Sequence, residues 1–154
     1  MSKSPDPPFE TTYRIRDHCL CLHTQRAARA LARHFDEAFR PLGLTSGQFS
    51  LLMSLNRPQA PTIGSVAALL AMDRTTLTAA LKPLERRGLV AVRADSADRR
   101  SRRIFLTADG RALLRKGVVV WEAVHGALDV RLPGGVEGEL QDRLRAVSGA
   151  LQGE

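Results

Sequence analysis

The stretch "RADSADRRSRRIFLT", Arg93 to Thr107, sets five arginines between Arg93 and Arg103 beside two aspartates, and then alternates. "LVAVRA" at its front and "RRIFLT" at its end are short, rich in β-branched residues and alternating, the pattern of half-buried strands. The seven residues between them, "DSADRRS", read as the loop of a β-hairpin, although they lack the usual glycine. A loop can hold this much like charge when neighbouring acids orient the guanidinium groups. Asp98 is placed in sequence to pair with Arg100 or Arg102. The tip would then suit a partner of negative potential, such as a minor groove.

Upstream of the hairpin lie three short helical segments. Thr45 precedes "SGQFSLLMSLN", Thr62 precedes "IGSVAALLA" and Asp73 precedes "RTTLTAALKPLERRG", each a side chain able to accept a backbone N–H at a helix start. The third segment should end at Gly88, which suits a left-handed C-terminal residue. Its Leu77, Leu81 and Leu84 share a face that can pack on the second segment. Arg74, Thr75, Thr78 and Lys82 fall on the other side, with Thr76 next to them in sequence, and a helix anchored by leucines while showing such groups suits a major groove. Pro83 removes one backbone donor and should bend the helix or shift its last turn.

Helices are expected on both sides of this centre. One long helix reads from about Tyr13 to Leu42, with Ala27, Leu31, Phe35 and Ala38 at helical spacing. Thr107 caps another, with Leu114, Val118, Trp121, Val124 and Leu128 on its stripe, until "PGG" at Pro133–Gly135 breaks it. A final helix carries Val136, Leu140, Leu144, Val147 and Leu151. These stripes exceed what a small central domain can cover, and the same helices of a second chain would bury them most simply.

The bulk numbers agree with this picture. The 154 residues carry a formal net charge of +7 and are 44% apolar. Between Met72 and Arg103, nine basic residues stand against four acids, so about a fifth of the chain holds most of the excess. That concentration is an electrostatic footprint for a phosphate backbone. No apolar stretch approaches a membrane span, and "MSKSPDPPFETT" has no apolar signal core, so a cytoplasmic chain with no membrane partner is expected. Cys19 and Cys21 make no disulfide framework.

The segments "LGLTSGQFSLL", "MDRTTLTAALKPLERRGLV" and "DSADRRSRRIFLTADG" together resemble the MarR-type winged-helix transcriptional regulators. The last is similar to that family's wing signature through Asp95, Asp98, Arg99, Arg100, Leu106, Thr107 and Gly110. The resemblance runs from about Cys19 to Leu114. It implies a mainly α fold with a small hairpin wing, and a homodimer with two DNA-reading lobes on an inverted-repeat operator. The family commonly represses genes and releases DNA when a small, often aromatic acid binds. The chain would divide into a flexible tail (1–11), a dimerisation helix (12–43), a winged helix-turn-helix domain (44–107) and dimerisation helices (108–154). Expected DNA contacts are Arg74, Thr75, Thr76, Thr78, Lys82, Asp98, Arg99, Arg100 and Arg102, with Arg103 also available to phosphates. Placement on the helices suggests His23, Arg26, Phe49, Met53 and Trp121 for an effector pocket.

The cysteines raise a second possibility. The family's organic-peroxide-sensing branch carries a reactive cysteine on its first helix, and Cys21 has similar spacing to Arg29 and "LGLT". That branch surrounds its thiol with tyrosines, whereas this chain has Gln25, Phe35 and Ser46 there, and its only tyrosine is Tyr13. Without a donor or nearby cation a thiol has no reason for a low pKa, so a structural cysteine is expected and a redox sensor is the alternative. "DHCLCLH" puts Asp17 with Cys21 and Cys19 with His23 on nearly opposite helix faces, so one ion cannot collect all four, and no metal or other cofactor is expected. No Gly-rich phosphate loop, His–Glu–x–x–His or nucleophile elbow is present, which argues against an enzyme. A winged-helix module for protein contact without DNA would need no basic wing.

Overall fold

Four helices begin at the expected positions, each at a side chain that accepts a backbone N–H. Thr45 accepts from Gln48 (3.2 Å), with the Gln48 side chain returning to the Thr45 N–H, a full capping box. Thr62 accepts from Ser65 (3.1 Å), Asp73 from Thr76 (2.8 Å) and Thr107 from Gly110 (3.0 Å). A computed structural model of the chain describes residues 6–151. Its helices are α1 (Phe9–His18), α2 (Leu20–Phe39), α3 (Ser46–Ser54), α4 (Ile63–Leu69), α5 (Arg74–Arg86), α6 (Ala108–Arg131) and α7 (Glu139–Ala150). A 3-10 turn, Arg40–Leu42, follows α2. Strands β1 (Val90–Ala94) and β2 (Arg102–Leu106) pair antiparallel, with Val90 opposite Leu106 and Ala94 opposite Arg102.

The chain divides into two compact units, one up to His34 and one from Phe35 onward. In the second, Leu77, Leu81 and Leu84 of α5 are buried among Val66 of α4, Leu52 of α3 and Ile104 of β2. The helix runs through Pro83 to Arg86, and the chain turns at Gly88 in the left-handed region (φ +69°). Ala71, between α4 and α5, is also left-handed (φ +52°), a conformation that ordinarily favours glycine. Gly110 meets a different demand. A Cβ there would lie 2.0 Å from the Leu89 carbonyl oxygen, so only glycine lets α6 start against the α5–β1 turn.

Three expectations about the outer helices need correcting. The long N-terminal helix is two helices. Cys19 is extended (φ −74°, ψ 107°), and its Sγ accepts the Leu22 N–H at 3.5 Å, so the thiol caps α2 as a serine would. Residues 9–11, expected in the tail (1–11), already belong to α1, which starts after Pro8. Residues 1–5 of that tail lie outside the described residues. The last helix begins at Glu139 rather than Val136. Gly134, Gly135 and Gly138 all have positive φ, and Asp129 Oδ1 holds the Val136 N–H at 2.7 Å, which keeps this stretch out of the helix.

Candidate nucleic-acid interface

The hairpin register decides where the wing arginines go. Val90, Val92, Ile104 and Leu106 share the face turned to the core, and Arg102 continues that face beyond the core's edge. Arg102 therefore reaches the side where α4 and α5 lie. There Arg74, Thr78, Arg100 and Arg102 converge with Thr62, Gly64 and Asp98 around one groove of about 470 Å³. Arg93 falls on the opposite face, where its guanidinium lies 5.4 Å from the Phe105 ring centre.

Each expected DNA-contact residue has a definite place. Arg74 lies over Gly64, where a Cβ would come within 3.0 Å of its Nη2, so that glycine makes room for the guanidinium. Nothing in the sequence pattern singled Gly64 out. The Thr78 hydroxyl donates to the Arg74 carbonyl (2.7 Å). The Thr76 hydroxyl donates to Asp73 Oδ2 (2.6 Å) and is spent on the helix cap. That hydroxyl, together with the Thr76 amide, holds the Asp73 carboxyl below the usual range. Thr75, Lys82 and Arg99 are exposed but do not line the groove.

The bracing of the wing differs from the expected one. Asp98 takes no guanidinium. Its Oδ1 accepts the backbone N–H of Arg100 (3.0 Å), and its carbonyl accepts that of Ser101 (2.9 Å), so it shapes the tip as an Asx turn. The acid that binds an arginine is Asp95, which is 7% exposed and takes Arg103 Nε on Oδ2 at 2.8 Å. Arg103, expected to be free for phosphates, thus has its Nε on Asp95 and its Nη1 on the Ala60 carbonyl. Sequence spacing favoured the nearer pair, but a tight turn satisfies Asp98 locally while the strand pairing carries Arg103 back to Asp95.

The remaining candidates fall in two places. Phe49, Met53 and Trp121 line one pocket of about 470 Å³ with Ser50, Ser54, Leu69, Leu70 and Val118. The Trp121 ring stacks on His125 at 4.5 Å, and the Ser54 hydroxyl is already bonded to the Leu51 carbonyl (2.6 Å). His23 and Arg26 lie on α2 in the N-terminal unit, where His23 Nε2 donates to the Asp17 carbonyl (3.2 Å). In the same unit Cys21 does have a donor. Gln25 Nε2 approaches its Sγ at 3.2 Å, and Gln25 Oε1 accepts from Arg29 (3.1 Å). That corrects the expectation of a thiol without one.

A helix-turn-helix whose second helix shares a cationic groove with an arginine-tipped hairpin defines the winged-helix class. Comparison with known proteins narrows the class. The MarR family model matches residues 44–101. A DNA complex of the transcriptional regulator MosR from M. tuberculosis is 37% identical, with a TM-score of 0.80, over 88% of this chain and 97% of that one. The organic hydroperoxide resistance transcriptional regulator of Bacillus subtilis is 30% identical over 70% of this chain and 73% of its own length. CouR from Rhodococcus jostii bound to p-coumaroyl-CoA is 25% identical, with a TM-score of 0.72, over 85% of this chain and 92% of its own. The chain spans about half, 54%, of a transcriptional activatory protein of Rhodopseudomonas palustris that it also matches at 34% identity over 64% of its own length. The chain belongs to the MarR family of transcriptional regulators, which are not enzymes.

Proposed function

We propose that the chain is a homodimeric repressor that binds an inverted-repeat operator in double-stranded DNA and is released by a small aromatic ligand. The observation that carries the DNA reading is the groove joining Arg74 and Thr78 of α5 to Arg100 and Arg102 of the wing. In this reading α5 enters the major groove, with Arg74, Thr75, Thr78 and Lys82 toward bases and phosphates. The wing carries Arg99, Arg100 and Arg102 to the adjacent minor groove. The relative captured on DNA supports it.

Dimerisation through residues 12–43 and 108–154 is supported by exposed apolar side chains. Leu140 and Leu144 of α7 are 44% and 47% exposed, and Ile15 and Leu20 stand out from the N-terminal unit. Such surface in a cation-rich chain calls for a covering partner. The effector reading rests on the pocket of Phe49, Met53 and Trp121, whose size suits a small molecule, and on the CouR ligand.

Titration of an inverted-repeat duplex at several salt concentrations tests the DNA reading. Five cations per chain, Arg74, Lys82, Arg99, Arg100 and Arg102, remain once Arg103 is set aside. If half of them reach phosphates, a dimer neutralises about five, for a log–log salt slope of about −4.5. A slope near zero would leave the winged-helix protein-contact module as the better reading.

A second reading, a thiol-based peroxide sensor, is favoured by the Gln25 amide on Cys21 and by the similarity to the hydroperoxide regulator. Release of wild-type protein from DNA by an organic hydroperoxide, with Cys21→Ser resistant, would establish it. Equal retention of both would make Cys21 structural.

A further inference from the structure

Asp95 is a nearly buried acid in the middle of the most basic part of the chain. On charge alone it should oppose binding to a polyanion. Its contacts run elsewhere. Oδ1 accepts the Ala97 N–H (3.1 Å), Oδ2 accepts Arg103 Nε (2.8 Å), and its own N–H donates to the Ser101 carbonyl (2.9 Å). The loop carrying Arg99 and Arg100 is therefore closed at its base by Asp95 on three sides.

Arg103 continues the connection. Its Nη1 donates to the Ala60 carbonyl at 2.7 Å, while the next residue's N–H, that of Ile104, donates to the Pro61 carbonyl at 3.0 Å. Thr62 makes a β-bridge with Arg103 and is also the cap of α4. One guanidinium thus ties the wing base to the segment that starts the helix-turn-helix. A forked donor can serve two acceptors at once, and a single ammonium cannot hold this geometry. The ion pair is 35% exposed on the arginine side and 8% exposed on the aspartate side, so removing the arginine would strand the Asp95 carboxylate away from water.

We propose that Asp95 and Arg103 are positioning residues that hold the wing's arginine tip in register with α5, and that Asp95 strengthens DNA binding despite its charge. This rests on the DNA-binding reading above. The sign separates it from simple electrostatics. Asp95→Asn removes one negative charge per chain, so an acid that merely sits near DNA would be a brake, and its loss would tighten binding. A positioning residue predicts weaker binding. If each wing loses one phosphate contact, a dimer loses two, worth about eight-fold each at 0.1 M salt, or about 60-fold together, with the salt slope shallower by about two.

The experiment measures duplex affinity against salt for full-length wild type, Asp95→Asn and Arg103→Lys. Each variant is also placed in a background where Arg99, Arg100 and Arg102 are alanine. The expected result is weaker binding and a shallower slope for both single variants, with little further loss in the tip-neutralised background, since the effect acts through the tip. Circular dichroism reports whether the fold is kept, and Arg103→Lys, which preserves charge, serves if Asp95→Asn does not fold. Unchanged or tighter binding by the folded variants would overturn the proposal. So would an equal loss in both backgrounds. Failure of wild type to bind any duplex would instead remove the DNA-binding reading itself.

Discussion

Replacing Gly110 by alanine should be among the more damaging single-methyl additions in this protein. The new Cβ would stand 2.0 Å from the Leu89 carbonyl oxygen and 3.2 Å from Leu106 Cδ2. Cβ atoms essentially never come within 3.0 Å of such a neighbour, so two backbone segments must separate by about 1 Å. They are held together by two hydrogen bonds, Thr107 N–H to the Leu89 carbonyl (3.1 Å) and Thr107 Oγ1 to the Gly88 carbonyl (2.6 Å). Overpacking costs about 1–3 kcal/mol, and weakening one bond about 1 kcal/mol. Alanine's better helix propensity offsets up to about 1 kcal/mol. The net loss is then about 2 kcal/mol, or about 4–8 °C in Tm for a chain of this size. Gly126, with nothing within 4 Å of its Cβ position, supplies the control, and Gly126→Ala should be neutral or stabilising by about 0.5–1 kcal/mol. Urea unfolding of both variants beside wild type measures the difference. If Gly110→Ala and Gly126→Ala unfold at the same midpoint, the close approach at Leu89 does not constrain the fold.

Arg74→Ala should change which bases a selected operator prefers as well as lowering affinity, since a bidentate base contact is worth about 1–3 kcal/mol of discrimination. An unaltered preference would make Arg74 a phosphate contact. Asp36 Oδ1 accepts the Ser46 N–H at 2.6 Å, and this bond, aided by the Ser46 side chain, holds its carboxyl below the ordinary range. A depressed carboxylate pKa contributes stability that is present above the unfolded value, about 3.9, and is lost as pH falls through the folded one. Asp36→Asn should therefore be less stable at neutral pH and lose less on acidification. Tm measured between about pH 6 and 2 checks this, and parallel curves for the two proteins would count against it.

Local chemistry explains why so much of the centre could be read from the chain. An N-cap joins residues three apart, and a strand's face follows from parity, so Thr45, Thr62, Asp73 and Thr107 declare their helices and "IFLT" its buried side without any distant contact. The leucine face of α5 follows in the same way, because helical spacing alone puts Leu77, Leu81 and Leu84 together. The break at Cys19 escaped this reading, since a thiol cap leaves no mark in a sequence that is otherwise helix-compatible. What only the tertiary structure decided is which acid braces the wing. Asp98 and Asp95 are both near arginines in sequence, and choosing between them requires the register that returns Arg103 to Asp95 and the segment at Ala60 that meets it from 43 residues away. The same holds for Gly64 under Arg74 and Gly110 against Leu89. A glycine's role there is the space it leaves for a neighbour, and that neighbour is set by how the helices pack, which no pattern of spacing within either helix contains.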